Sequence, residues 1–164
     1  MKQISILLTK YSDWISNLVY HIAGRGYTHA SIGLGEAVTE YYSFNYKGFA
    51  VETIENHKRR GVRRSYCYQL RVSDEAYARI EAEIKVFQQN KEQYRYSRLG
   101  VLCCILHLPF RRKNYYFCSQ FVAELLKKTE AIDVKRNPCF FLPNHFIPLL
   151  EKHPDCISAI PNAV

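Results

Sequence analysis

Apolar and polar positions along this chain follow two periods, and the switches between them mark the elements. Residues 4–9, from Ile4 to Thr9, form a short β-rich apolar run that reads as a buried strand. Over residues 12–23, Trp14, Leu18 and Ile22 recur every fourth position, as one helical face would, and Gly24-Arg25-Gly26 closes that helix. Residues 28–34 and 38–44 read as two strands joined at Gly35-Glu36, where a leading glycine suits a two-residue type II′ hairpin turn. Residues 49–54 and 66–72 predict further strands. Between them lies a loop containing His57-Lys58-Arg59-Arg60-Gly61-Val62-Arg63-Arg64.

The second half turns helical. Ser73 has the character of an N-cap, with Asp74 and Glu75 in the first turn and Tyr77, Ile80, Ile84 and Phe87 as the apolar face. Residues 98–108 predict a second, buried helix that stops before Pro109. A third spans 118–128, with Phe121, Val122, Leu125 and Leu126 facing inward. Past Asp133, prolines at 138, 143, 148, 154 and 161 predict irregular structure with short helical pieces. This order implies an α+β fold. No repeat, low-complexity tract or Gly/Ser linker interrupts it, so a single domain over residues 1–164 is expected.

Composition narrows the classes. A chain of 164 residues, 48% of them hydrophobic, can bury roughly 68–70% of its unfolded surface without cross-links. Seven glycines and six prolines exclude a disordered or collagen-like chain. No apolar run approaches the roughly 18 residues of a membrane span. The N-terminal MKQISILLTKYSDW lacks the apolar core and cleavage site of a signal peptide, so a cytoplasmic location with reduced cysteines is expected.

The net charge of +8 invites an anionic membrane or nucleic acid as partner. No nucleic-acid motif accompanies it, which argues against that partner as the main one. The excess is also local. Lys58, Arg59, Arg60, Arg63 and Arg64, with Arg111, Arg112 and Lys113, account for all of it, since without these eight the remaining 15 cations match 15 acids. Arg111, Arg112 and Lys113 lie just upstream of Cys118, where they could steer an anionic substrate or membrane surface.

Among six cysteines, Cys118 is distinguished by position: it follows the β-type run Tyr115-Tyr116-Phe117 and opens an amphipathic helix. There, unsatisfied backbone N–H groups and the helix dipole favour the thiolate, which is the nucleophile. Most cysteines in such proteins are inert core fillers, so a base in reach is needed to change that reading. His29 is the best candidate, because His29, Ser31 and Gly33 form the polar face of their strand. With a two-residue turn, Ser31 faces Glu40 and His29 faces Tyr42. Glu40 then becomes the diagonal neighbour of His29, about 7–8 Å away, and can fix its tautomer. A three-residue turn would flip Glu40 to the other face.

A zinc site at Cys103-Cys104-x-x-His107 fails on geometry, since adjacent helical cysteines point roughly 100° apart. No phosphate-cradling glycine loop is present. No metal or cofactor is implied.

Tyr27-Thr28-His29-Ala30-Ser31-Ile32-Gly33-Leu34, then Val38-Thr39-Glu40-Tyr41, then Tyr116-Phe117-Cys118-Ser119-Gln120-Phe121-Val122 resemble the circularly permuted papain-like hydrolases. The resemblance is to the YiiX/YaeF type of the NlpC superfamily, with lecithin-retinol acyltransferase more remote, and covers residues 4 to about 126. It implies a permuted papain-like fold, an antiparallel sheet packed against helices. It assigns Cys118 as nucleophile, His29 as base and Glu40 as orienting group. The family's common Cys-Ser-Glu is Cys118-Ser119-Gln120 here.

The implied chemistry is acyl transfer through a thioester, on an amide, a peptide or a lipid ester, by an amidase-like thiol hydrolase or an acyltransferase. The Cys118 N–H is a natural oxyanion donor, with Ser119 and Tyr96 as further oxyanion or substrate candidates. The competing reading, from a different class, is a basic non-catalytic module on the same scaffold that binds anionic lipid or nucleic acid.

Overall fold

The computed structural model describes residues 1–11, 17, 20–21, 26–62 and 64–164. Its core is a six-stranded antiparallel sheet in the order β4-β3-β2-β1-β5-β8. The strands are β1 (Lys2–Thr9), β2 (His29–Leu34), β3 (Tyr41–Asn45), β4 (Gly48–Glu52), β5 (Ser65–Val72) and, after the last helix, β8 (Cys156–Pro161). The helices are α1 (Ile54–Arg59), α2 (Asp74–Gln89), α3 (Arg98–Ile105), α4 (Cys118–Lys128) and α5 (Phe146–Leu150). A short parallel pair, β6 (Arg95–Tyr96) with β7 (Tyr115–Tyr116), precedes the nucleophile candidate.

Two-residue alternation divides the sheet into two chemically different faces. Ile4, Ile6 and Leu8 of β1, Ala30 and Ile32 of β2, Phe44 of β3, and Tyr68 and Leu70 of β5 point one way into the main core. Onto this face pack α2 through Ile80, Ile84 and Phe87, and α4 through Phe121, Val122, Leu125 and Leu126. Ser73 caps α2 as the sequence predicts, its Oγ accepting the Ala76 N–H at 3.1 Å. The opposite face carries His29, Ser31, Ser43 and Glu52, all buried, beside a small cluster of Leu7, Tyr41 and Cys67. That cluster is covered by Val38, Ile54, Ala163 and Val164, which is why β1 is buried on both sides.

Several expectations change. The turn after β2 is not two residues but runs over 35–40, and β3 starts only at Tyr41. Gly33 explains why. A Cβ there would lie 2.3 Å from Val38 Cγ1 and 3.1 Å from the Tyr41 ring, so the loop doubles back over the space that glycine leaves open. Gly33 pairs with Tyr41 and Ile32 with Tyr42. Relative to the expected register this is an odd displacement, which exchanges the two faces of the strand.

The basic segment expected as loop contains α1, capped by Thr53, whose Oγ1 accepts the Asn56 N–H at 3.2 Å. Helix α3 is buried on one side only, through Val101 and Cys104. The proline-rich tail ends in β8, which pairs with β5 and so extends the sheet. Of the helix expected over 12–23 with its Gly24-Arg25-Gly26 stop, most lies outside the described residues; Asn17, Tyr20 and His21 are helical. Among the described residues no helix is long and apolar enough to cross a membrane.

Candidate active site

The site is assembled where the starts of β2 and α4 meet the end of β4. His29 opens β2, paired with Thr9 of β1, and is buried. Its Nε2 lies 2.8 Å from Glu52 Oε2. Glu52 is the last residue of β4, with a side chain only 2% exposed. On that face Ser31 and Ser43 are small and buried, so the two longer side chains can meet across the sheet.

Cys118 is the first residue of α4, preceded by Phe117 in extended conformation, whose N–H donates to Gln120 Oε1 at 3.4 Å. Helix α4 lies on the main core of the sheet, so its first turn arrives beside β2. The Cys118 sulfur shares a hydrogen bond with His29 and accepts from the backbone N–H groups of Ala30 and Ser119. Because His29 Nε2 is engaged by Glu52, the ring nitrogen that serves the thiol is Nδ1. The imidazole therefore bridges a thiol and a carboxylate.

The electrostatics follow from burial and partners. Burial pushes the Cys118 thiol up, but the hydrogen bond and charge of His29, with the two backbone N–H groups, outweigh it and hold the thiol below its usual value. Burial opposes a positive His29, yet the Glu52 carboxylate and the Cys118 sulfur raise its pKa well above the ordinary imidazole value. Burial alone would raise Glu52, and the interactions with His29 first, then with His57 and Arg60, bring it down to about 2 instead. The result is a buried thiol, imidazole and carboxylate in series, with the ionised form of each favoured by its neighbours.

Helix α1 supplies a shell around the carboxylate. His57 Nε2 lies 3.7 Å from Glu52 Oε2, and Arg60 Nη1 lies 3.1 Å from Glu52 Oε1. Tyr11 completes the group, its hydroxyl 2.5 Å from His57 Nδ1 and 3.5 Å from Arg60 Nη1, its ring edge-on to His29 at 5.1 Å. Burial, with the charges of His29 and Arg60, lowers the His57 pKa to about 4, against the pull of Glu52, so His57 is neutral at pH 7. The Tyr11 hydroxyl then donates to Nδ1, while Nε2, 3.7 Å from Glu52 Oε2, has no hydrogen-bond partner among the described residues.

The structure brings Cys118 and His29 together and leaves Glu40 out. Glu40 is exposed and accepts from the Tyr42 hydroxyl at 3.2 Å, a consequence of the longer turn and displaced register. Glu52 takes the place that the sequence reading gave to Glu40. Its only sequence signal is a carboxylate inside an otherwise apolar strand, followed by a Thr53 cap. His57 and Arg60 were hidden within the segment expected as basic loop, and Tyr11 carried no signal.

The remaining assignments separate. Ser119 is fully buried, its Oγ has no hydrogen-bond partner among the described residues, and its backbone N–H addresses the sulfur. Tyr96 sits on β6 opposite Tyr116 and packs against the cluster of Val101, Cys104 and Phe117. Arg111 is paired with Glu124 on α4 at 2.5 Å, Arg112 lies over the Tyr115 ring at 4.1 Å, and Lys113 is exposed. All six cysteines are free thiols. No protein-family model matches this chain, and no curated protein matches its sequence.

Proposed function

We propose that this protein is a cysteine-dependent hydrolase or acyltransferase with a permuted papain-like framework, acting on an amide, peptide or lipid-ester carbonyl. The observation that carries the reading is His29, hydrogen-bonded on one side to the Cys118 sulfur and on the other to Glu52. The antiparallel sheet, with a helix opening at Cys118 and a strand opening at His29 in that reversed order, supports the framework. A thiol held below its usual pKa and presented from a helix start suits attack on a carbonyl carbon.

In the first step the Cys118 sulfur bonds to the carbonyl carbon and the oxygen takes up the negative charge. The Cys118 N–H at the α4 terminus is the natural donor to that oxyanion. Collapse expels the amine or alcohol, which leaves with the proton of His29 and yields a thioester. Neutral His29 then deprotonates water or an acceptor alcohol or amine, which attacks the thioester and releases the thiolate. Glu52 holds the ring in the tautomer and orientation that serve both steps.

The test is a panel of amide, peptide, thioester and lipid-ester substrates run with wild type and Cys118→Ala, alongside iodoacetamide labelling below neutral pH. Turnover lost in Cys118→Ala, with Cys118 labelled far ahead of the other cysteines, is the expected result. Turnover that survives the substitution, or slow labelling of Cys118, would overturn the mechanism.

A further inference from the structure

Helix α3 shows an apolar stripe to solvent. Leu99, Leu102 and Leu106 are spaced three and four apart on one side, opposite the buried Val101 and Cys104, and are 53%, 47% and 57% exposed. Leu108, 53% exposed, extends the stripe past the helix end. Scattered surface leucines are ordinary, but four together on one short segment are a patch that calls for a partner.

The surrounding charge says which partner. Between Glu92 and Glu124 the chain carries Arg95, Arg98, Arg111, Arg112 and Lys113 and no acidic residue. Among the described residues Arg98, Arg112 and Lys113 form no ion pair, and all three are exposed. An apolar stripe flanked in sequence by exposed cations that form no ion pair among the described residues matches a surface whose interior is hydrocarbon and whose boundary is anionic.

We propose that the outer face of α3 docks on an anionic lipid membrane, with Leu99, Leu102, Leu106 and Leu108 entering the acyl boundary and Arg98, Arg112 and Lys113 meeting the headgroups. Helix α3 leads into the nucleophile through shared packing. Its buried side, Val101 and Cys104, contacts Phe117, the residue before Cys118, and Gly100 lies against the same ring. Docking there couples the membrane to the candidate active site through α3 and Phe117. Resting on the thiol-hydrolase reading, this narrows its substrate class to lipid esters or lipid-linked amides.

The experiment is co-sedimentation of the full chain with phosphatidylcholine vesicles, with and without about one-third phosphatidylserine. Binding is expected only with the anionic lipid and should weaken as salt is raised. Leu102→Glu/Leu106→Glu should reduce partitioning about tenfold or more. Arg112→Gln/Lys113→Gln should reduce it on anionic vesicles, and circular dichroism should show both variants folded. No vesicle binding by wild type, or unchanged binding by the leucine variant, overturns the proposal. So does a sedimentation-velocity dimer that the leucine variant converts to monomer, which would make the stripe a self-interface. Vesicle binding needs no turnover, so Cys118→Ala should bind as wild type does. Slow Cys118 labelling with intact vesicle binding would sink the thiol chemistry alone.

Discussion

The His29 imidazole and the Glu52 carboxylate meet at 2.8 Å in a pocket where both side chains are more than nine-tenths buried. A charged pair at such depth is costly unless each charge has further partners. Here Glu52 has Arg60 and His57, and His29 has the Cys118 sulfur. Removing one member leaves the others buried without compensation.

Glu52→Gln keeps the shape of the side chain and removes its charge, so His29 loses the group that raises its pKa and Cys118 becomes harder to ionise. We expect iodoacetamide labelling of Cys118 to shift to higher pH and turnover to drop by about 10²–10⁴-fold. Glu40→Gln, on an exposed side chain, should change neither. A Glu40 variant that matched the Glu52 loss would return the orienting role to Glu40.

Stability should depend on pH through the same cluster. Glu52 titrates near 2 when folded against an ordinary 4.5, so its contribution is present above about 4.5 and is lost as pH falls toward 2. His57, lowered from 6.5 to about 4, acts in the same direction, because the unfolded chain takes up its proton first. His29 works oppositely: its raised pKa stabilises the fold fully below 6.5, and that contribution fades as pH rises through the folded value. Melting temperature should therefore fall on acidification from pH 6.5 toward 2, and Glu52→Gln should flatten the lower part of that curve. An unchanged slope in the variant would refute the assignment.

Phe44 is fully buried where β3 faces α4, with ring neighbours Tyr116 at 5.1 Å, Phe121 at 5.2 Å and Phe49 at 5.8 Å. Phe44→Ala leaves a cavity between sheet and helix and should cost about 3–5 kcal/mol in urea unfolding. A loss under about 1 kcal/mol would mean that the aromatic cluster repacks.

Gly48 begins β4 with φ of +111°, and a Cβ there would lie 2.5 Å from the Tyr94 carbonyl oxygen. Gly48→Ala should therefore destabilise by about 2 kcal/mol or more, backbone strain adding to the clash. Gly61, at φ +72° with nothing within 4 Å, should lose only about 1 kcal/mol on the same change. Equal losses in denaturant titrations would remove the role of the Tyr94 contact.

Features that depend on near neighbours can be read directly from the chain. The apolar run of β1, the alternation along β2, the Ser73 cap, the spacing of Ile80, Ile84 and Phe87, and a helix starting at Cys118 are all written in residues a few positions apart. Cys118 and His29 were legible because a helix start and a polar strand face each leave a local pattern. The partner on the far side of His29, and the shell around it, depend on how distant segments pack. Which carboxylate reaches His29 depends on the 35–40 loop and hence on Val38 packing over Gly33. That contact is set by crowding on the sheet, not by the turn residues themselves. The Thr53 cap then starts α1 directly behind Glu52 and brings His57 and Arg60 to the carboxylate. A charge run in the sequence carries no sign of which of its members reach a buried carboxylate, because that depends on where the fold brings both partners.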